Sequence, residues 1–456
     1  MGWPVFVRWV IKARILTIAG SDSGGGAGIQ ADLKVITLLG GYGSSVVTAL
    51  TAQNTLGVQD ILDVSSDFVQ KQMAAVLSDI GADAVKTGML ARGEIISQVA
   101  RELKKYRLKK LVVDPVMVSQ SGHPLLQDEA VETLVQDLFP LGGLVTPNLS
   151  EASRLVGFPI ANPAAMKRAA RRIKERTGGA VLIKGGHLEG PALDLFFDGQ
   201  HLEEITAPRI PTPHTHGTGC TYSAAIATFW GQGKSLPEAV REGKNFVQQA
   251  IRAARPLGRG HGPTDPYGWI ETALERYPVL TALDRAAVRL KEAAIGGLIP
   301  EVQTNFGYAL PYAATPLEVA AFPGRLVRLG EGIAVLGFPA FGASRHVARI
   351  ILTVMQFHPE YRSAMNIRFE EGWLKAARRL GFRLGGFDRR EEPPRVKLRE
   401  GSSLSWGVGR VLEKMRQVPD LIFDRGDVGK EPMIRVLGRD PQEVTDKIMI
   451  LKKGLL

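Results

Sequence analysis

The chain of 456 residues contains one cysteine, Cys220. With no second thiol, an internal disulfide framework is excluded, and a reducing compartment, the cytoplasm, is the expected setting. No apolar run reaches the roughly 18 residues of a membrane span, and stretches such as "ILTVM" and "AVLGF" suit buried helices or strands. The opening "MGWPVFVRWVIKAR" carries only a short apolar run, broken by Arg8, without a small-residue cleavage site, so it reads as an extension and not a leader. Internal repeats and low-complexity tracts are missing too, which argues against a solenoid or a disordered array. No membrane partner is expected.

Concentrated charge is likewise scarce. The net charge is +11, and from Leu280 to Leu456 there are 28 Lys and Arg against 20 Asp and Glu, or +8, leaving +3 for the longer N-terminal part. This excess is interleaved with acids and forms no basic stripe. Phosphorylated small molecules reward the same Arg and Lys as nucleic acid does, and no nucleic-acid partner is expected.

What is present is core-forming material. At 45% hydrophobic residues, a chain this long exceeds one ordinary core and should divide. The runs "ILTIAG", "SSVVTAL", "DAVKTG", "KKLVVDPV", "GGLVTPN" and "AVLIKGG" alternate with helical spacing, which predicts an α/β domain over residues 14–270, a mostly parallel sheet covered by helices. "DLFFDGQHLEEITAPRI" breaks that rhythm and reads as a hairpin. Residues 271–294 are expected to form a helical linker. A smaller α/β or α+β domain should follow over 295–456, with helices near 344–357, 370–380, 404–416 and 442–452.

The lone thiol stands in "HTHGTGCTYSAA", at a helix start. Gly217 and Gly219, flanking Thr218, let backbone N–H groups converge where the helix dipole adds positive charge, a ready anion site. The same field should lower the Cys220 pKa and favour thiolate. Upstream, "GSDSGGGAGIQADLK" places a glycine run between a strand and a helix, but lacks the ending of a phosphate loop. Asn148 and Glu151 in "NLSE" lie one helical turn apart, and plain capping is the competing use. Lys184 ends the buried strand "VLIKGG", where it could neutralise phosphate.

In this order, "GSDSGGGAGIQADLK", "ALTAQNTLGV", "VKTGML", "VVDPVM", "TPNLSEA", "IKGGH" and "GTGCTYSAAI" resemble the hydroxymethylpyrimidine and phosphomethylpyrimidine kinases of the ribokinase superfamily. The resemblance implies that Cys220 is the catalytic residue at the anion hole, with Gly217 and Gly219 supplying donors and Thr218, Asn148, Lys184 and Asp114 serving ATP. It implies that Asp114 and Glu151 hold hydrated Mg²⁺, and that Asp32 and Gln53 read the pyrimidine, with Ala27 and Met89 near its ring. A Gln amide offers both donor and acceptor to an aminopyrimidine edge.

Behind the kinase-like part, "GFPAFGASRHVARIILTVMQFHPEYRSAMNIRF" and "IFDRGDVGKEPMIRVLG" resemble ThiN-type thiamine-phosphate synthase domains. Ser344 can cap a helix that opens with Arg345 and His346 and continues through Arg349, where the dipole favours anions. Arg325 in "FPGRLVRLG", Arg345 and His346 are the expected diphosphate grip. Asn366 is expected to orient a substrate, and Lys430 in "DRGDVGKEP" could wrap another phosphate. The resemblance implies thiamine biosynthesis by one chain acting on small molecules, namely hydroxymethylpyrimidine, its phosphates and thiazole phosphate; a homo-oligomer is the separate expectation for its assembly. Two other readings are a C-terminal thiamine-phosphate sensor, against which the lack of a helix-turn-helix pattern speaks, and a pyridoxal kinase, against which the "AQN" and "GTGC" pair speaks.

Overall fold

The computed structural model describes residues 12–454, except 119–121, 124, 187, 189 and 394–401. Most of the N-terminal extension lies outside the described residues. The chain divides into two compact units, Met1–Trp269 and Ile270–Leu456. Among the described residues no helix is long and apolar enough to cross a membrane.

The first unit comprises β1 (Arg14–Asp22), α1 (Gly28–Leu38), β2 (Tyr42–Asn54), β3 (Gly57–Asp63), α2 (Ser66–Asp79), β4 (Ala84–Thr87), α3 (Gly93–Lys105), β5 (Leu111–Val113), α4 (Asp128–Thr133), β6 (Leu144–Val145), α5 (Leu149–Val156), α6 (Pro163–Thr177), β7 (Ala180–Gly185), β8 (Ala192–Phe197), β9 (Leu202–Ala207), α7 (Thr218–Gly231) and α8 (Leu236–Arg252). Its strands form one sheet in the order β3-β2-β1-β4-β5-β6-β7-β8-β9. From β2 to β7 every pairing is parallel, while β3, β8 and β9 add antiparallel edges. Alternation along each strand sends neighbouring side chains to opposite faces. Leu16, Ile18, Val85, Val113 and Ile183 pack into one core, and Ile15, Ala84, Val112, Leu144 and Leu182 into the other. This is why the runs read as continuously apolar. The expected hairpin is β8–β9, whereas β3 was not anticipated: β2 turns back through residues 55 and 56, holding Gln53 near its end.

The short helix α9 (Gly268–Leu274) spans the division, and the second unit continues with α10 (Arg276–Glu292), β10 (Phe306–Ala309), β11 (Val319–Ala321), β12 (Leu326–Leu329), β13 (Gly332–Val335), β14 (Ala340–Phe341), α11 (Arg345–Phe357), β15 (Ser363–Arg368), α12 (Glu371–Arg379), β16 (Leu384–Gly386), α13 (Ser402–Lys414), β17 (Leu421–Asp424), β18 (Met433–Gly438) and α14 (Pro441–Lys453). A seven-stranded sheet runs β14-β11-β10-β15-β18-β17-β16, with β12–β13 a separate ribbon. All its resolved pairings except β16–β17 are antiparallel. Helices α10, α12 and α14 cover one face through Leu283, Leu374 and Ile448, and α11 and α13 cover the other through Ile351 and Val408. The segment expected as a linker is therefore core: Val279, Leu283 and Leu290 of α10 are fully buried against this sheet. Its apolar stripe needs a partner, and the second sheet supplies it.

Candidate active sites

Parallel strands end on one side of their sheet, so the polar residues closing β1, β2, β5, β6 and β7 gather there. Asp114 follows β5 and is buried; Lys184, the next-to-last residue of β7, places Nζ 2.8 Å from its Oδ1. Thr146 Oγ1 and Ser223 Oγ also donate to this carboxylate, each at 3.2 Å. Burial alone would raise the Asp114 pKa, but Lys184 and Lys86 outweigh it and hold the group below the usual carboxylate range.

Glu151 stands one turn into α5. Its Oε2 accepts from Asn148 N at 2.8 Å while Asn148 Oδ1 accepts from Glu151 N at 2.9 Å, a reciprocal cap. Burial, opposed by Lys184 and reinforced by the Asp114 charge, raises its pKa to about 7. Asn148 and Glu151 are thus helix caps that also face the Lys184–Asp114 pair.

The first turn of α7 closes this site. Gly217 is its N-cap at φ 76°, and an added Cβ would lie 1.8 Å from Gly26 O, so only glycine lets the two loops touch. An added Cβ on Gly219 would lie 3.2 Å from Lys184 Nζ and 3.5 Å from Asp114 Oδ2, which brings the helix start onto that pair. Both the hydroxyl and the backbone N–H of Thr218 donate to Thr215 O, at 2.7 and 3.2 Å, which ties the helix start to the loop before it.

Two expectations are corrected here. Cys220 keeps some solvent access, but the protein around its sulfur pushes the thiol up to about 11; Lys86 lowers it, while Asp32 and Asp114 raise it. Desolvation defeats the helix dipole, and the resting group is a thiol, not a thiolate. Asp32, expected to read the pyrimidine, is fully buried and accepts from Lys86 Nζ at 2.8 Å and Thr17 Oγ1 at 2.6 Å. Its oxygens are occupied inside the protein, and its charge is felt at Cys220. Burial opposes the Lys86 charge, but Asp32 keeps it protonated.

Gln53 remains at the surface of the site, with its amide near His216 and Thr51. Ala27 caps α1 and donates its N–H to Asp22 Oδ2 at 2.8 Å. Met89 packs in a small apolar cluster with Ala49 and Ala91. Asp22, Thr51, Lys86 and His216 were missed, although His216 stands in the quoted "HTHGTGC"; nothing in the sequence signals that it folds back on Asp22, 194 positions away.

In the second unit, a pocket of about 280 Å³ is lined by Asn305, Phe322, Gly324, Arg325, Ala343, Ser344, Arg345 and His346. Ser344 caps α11 by accepting from Val347 N at 3.4 Å, and donates to Asn305 Oδ1 at 2.8 Å. Arg325 holds φ 69°, a left-handed backbone uncommon outside glycine, and donates to Val302 O. Burial, then Arg435, Arg325, Arg389 and Arg349, push the His346 pKa down to about 4. So much positive charge around one imidazole marks an anion-seeking surface.

Beside it, Asp424 is buried between two guanidinium groups: Arg389 donates at 2.6 and 3.2 Å, and Arg435 at 2.7 Å. This trio was not foreseen. Asn366 is corrected: buried, it accepts from Asn305 N at 2.7 Å and donates to Gln303 O at 3.2 Å, so its amide braces the pocket wall and is not offered to substrate. Lys430 lies in a turn with Asp427, reaching Ser403 Oγ at 3.4 Å and Glu392 at 3.8 Å, outside the pocket-lining set.

A family model described as phosphomethylpyrimidine kinase matches residues 22–265, and one described as thiamine-phosphate synthase ThiN matches residues 282–449. The bifunctional thiamine biosynthesis protein ThiDN of Methanocaldococcus jannaschii is 34% identical over 96% of this chain and 98% of its own length. The bifunctional protein ThiED of Geobacter sulfurreducens is 53% identical over 56% of this chain, and the match spans about half of that relative, 52%. Among solved structures, an ADP complex of Bacillus subtilis pyridoxal kinase superposes with a TM-score of 0.53 at 38% identity, covering 56% of this chain and 98% of that one. The chain belongs to the phosphomethylpyrimidine kinase family, in the bifunctional form that carries a ThiN thiamine-phosphate synthase region behind the kinase.

Proposed function

We propose that the first unit transfers the terminal phosphoryl group of ATP to the hydroxyl of hydroxymethylpyrimidine and then to its phosphate, and that the second unit joins the resulting diphosphate to thiazole phosphate, releasing pyrophosphate and thiamine phosphate. The observation behind the kinase half is that the start of α7 opens directly onto the Lys184–Asp114 pair. A phosphoryl group in flight spreads charge over its oxygens, so donors fixed around it matter more than covalent chemistry. The first-turn N–H groups of Gly219 and Cys220 have no acceptor within their own helix, and with Lys184 they are the proposed donors. The loose transition state lets the substrate hydroxyl keep its proton until late, when its acidity rises. Cys220 is the proposed acceptor in its thiolate form, reached from the resting thiol by loss of a proton to water and stabilised by buried Lys86; taking up the substrate proton returns it to the thiol.

Asp114 and Glu151 are the residues that would hold Mg²⁺, through water. Their donor set suits it: two buried carboxylates, one with its pKa raised partly by the other's charge, are relieved by a nearby cation. When bound, the ion supplies charge neutralisation at the nucleotide phosphates. In the second unit, Arg325, Arg345 and His346 are the proposed grip on the pyrimidine diphosphate, whose leaving oxygens gain charge as the carbon–oxygen bond breaks.

The test is one incubation of the full chain with ATP, Mg²⁺, hydroxymethylpyrimidine and thiazole phosphate, read as thiamine phosphate. Kinase product without thiamine phosphate, together with binding of thiamine phosphate, would make the second unit a sensor. The likeness to a pyridoxal kinase favours a second alcohol substrate, and parallel turnover of pyridoxal measures it.

A further inference from the structure

The hydrogen bonds around Gln53 can be satisfied in only one way, and His216 decides which. His216 Nε2 lies 3.0 Å from Asp22 Oδ2 and 3.3 Å from the Gln53 amide nitrogen. Asp22 is buried and also accepts from Gly24 N at 2.8 Å, Gly26 N at 3.1 Å and Ala27 N at 2.8 Å. A carboxylate only accepts, so the hydrogen on His216 Nε2 is directed to Asp22, and that nitrogen keeps no lone pair for an amine donor.

The other end of the amide has the same conflict. Gln53 Oε1 faces Thr51 Oγ1 at 3.3 Å, but the single hydroxyl hydrogen of Thr51 is also directed to Ser21 O at 3.0 Å. Exchanging the amide oxygen and nitrogen removes both conflicts at once. The oxygen then meets the Nε2–H of His216, shared with Asp22, and the amine donates to a free lone pair of Thr51. Oxygen and nitrogen of an amide are set by such networks.

His216 is held firmly enough for this task. Its backbone N donates to Gly262 O at 3.1 Å and its O accepts from Thr264 N at 3.0 Å, and Gly217 follows it directly. Space around the ring is filled: an added Cβ on Gly26 would lie 2.5 Å from its Cδ2.

We infer that His216 is a positioning residue that fixes the Gln53 amide with its oxygen toward His216 and its amine toward Thr51, and thereby sets the donor and acceptor order that the kinase site reads. Resting on the proposed kinase function, this names what the site selects: an amino group on the His216 side beside a ring nitrogen acceptor on the Thr51 side, the edge of a 4-aminopyrimidine. A 4-oxo analogue presents the reverse order, a carbonyl beside a ring N–H, and would need the amide turned against both His216 and Thr51. A site left with unpaired buried polar groups rejects such an analogue strongly.

The experiment compares hydroxymethylpyrimidine with its 4-oxo analogue as alcohol substrates for the full chain and for His216→Phe, His216→Gln and Gln53→Ala, singly and combined. The KM for ATP reports an intact fold. His216→Phe, which keeps a ring but no N–H, should raise the KM of the amino substrate by about tenfold and narrow the preference over the oxo analogue by a similar factor. His216→Gln, which retains a donor, should restore much of that preference. In the Gln53→Ala background, His216→Phe should add little. An unchanged preference in His216→Phe, or an equal loss with and without Gln53, overturns the inference. The kinase reading fails separately, and visibly, when the parent phosphorylates neither pyrimidine.

Discussion

Lys184 Nζ and Asp114 Oδ1 lie 2.8 Å apart, joining β7 to the end of β5 across the intervening β6. The pair is nearly dry, with side chains 14% and 2% exposed, so removing one partner leaves a buried charge. Lys184→Ala should destabilise the first unit by about 3 kcal/mol and lower phosphoryl transfer at least ~10²-fold. Thermal unfolding and kinase assays of the full chain check both; parental turnover would remove Lys184 from the site.

Glu151 carries a pKa raised to about 7, well above its unfolded value. A raised carboxyl contributes stability that is complete below the unfolded pKa and is lost as pH rises through the folded one. Glu151→Gln keeps the helix cap without the charge. Its melting temperature relative to the parent should therefore climb between pH 5 and pH 8, by the equivalent of about 2 kcal/mol. A flat difference over that range would contradict it.

Cys220 rests as a thiol with its pKa near 11. Alkylation by iodoacetamide should be slow at pH 7 and still rising above pH 9. Cys220→Ala should retain nucleotide binding while losing about 10²-fold in phosphoryl transfer with either pyrimidine. An alkylation rate that levels off below pH 8 would restore the thiolate that the helix start alone suggests.

Arg325 occupies a left-handed backbone at φ 69°, which glycine would adopt with less strain. Arg325→Gly should leave stability equal or higher by up to about 1 kcal/mol, yet depress thiamine phosphate formation from supplied pyrimidine diphosphate. Arg345→Ala and His346→Ala should depress it too, with kinase turnover unaffected in all three. Parental synthase rates in every variant would move the anion site elsewhere.

Asp424 is held below the usual carboxylate range; burial opposes this, but Arg435 and Arg389 outweigh it. A depressed carboxylate contributes stability above its unfolded pKa and loses it as pH falls through the folded value. Asp424→Asn leaves two guanidinium groups facing a neutral amide and should destabilise the second unit by about 3 kcal/mol at pH 7. That difference should shrink toward pH 3. Urea unfolding at the two pH values measures it, and equal differences would exclude the ion trio as the cause.

Much of this protein is written in short runs of its sequence. Strands buried on both faces read as unbroken apolar segments, and the glycines of "GTGC" announce a helix start that approaches another backbone, because no other residue fits at Gly217. Those signals are local, and local sterics enforce them. The helix α10 looked like a linker because its apolar stripe is visible in sequence but its partner sheet is not.

Only the tertiary structure decided the electrostatics. The field of a helix start favours thiolate at Cys220, yet the loss of water around the sulfur and the carboxylates of Asp32, in α1, and Asp114, just after β5, reverse the outcome, and those residues lie 188 and 106 positions away in the chain. Asp32 was expected to read the pyrimidine because the resemblance implies it, and Asn366 was expected to orient a substrate. Their partners, Lys86 and Asn305, are brought to them by strand order, and they consume the hydrogen bonds that a substrate would need. Sequence fixes which groups exist and which local shapes they can take; burial and pairing depend on distant segments meeting, and those set each group's charge and free valence.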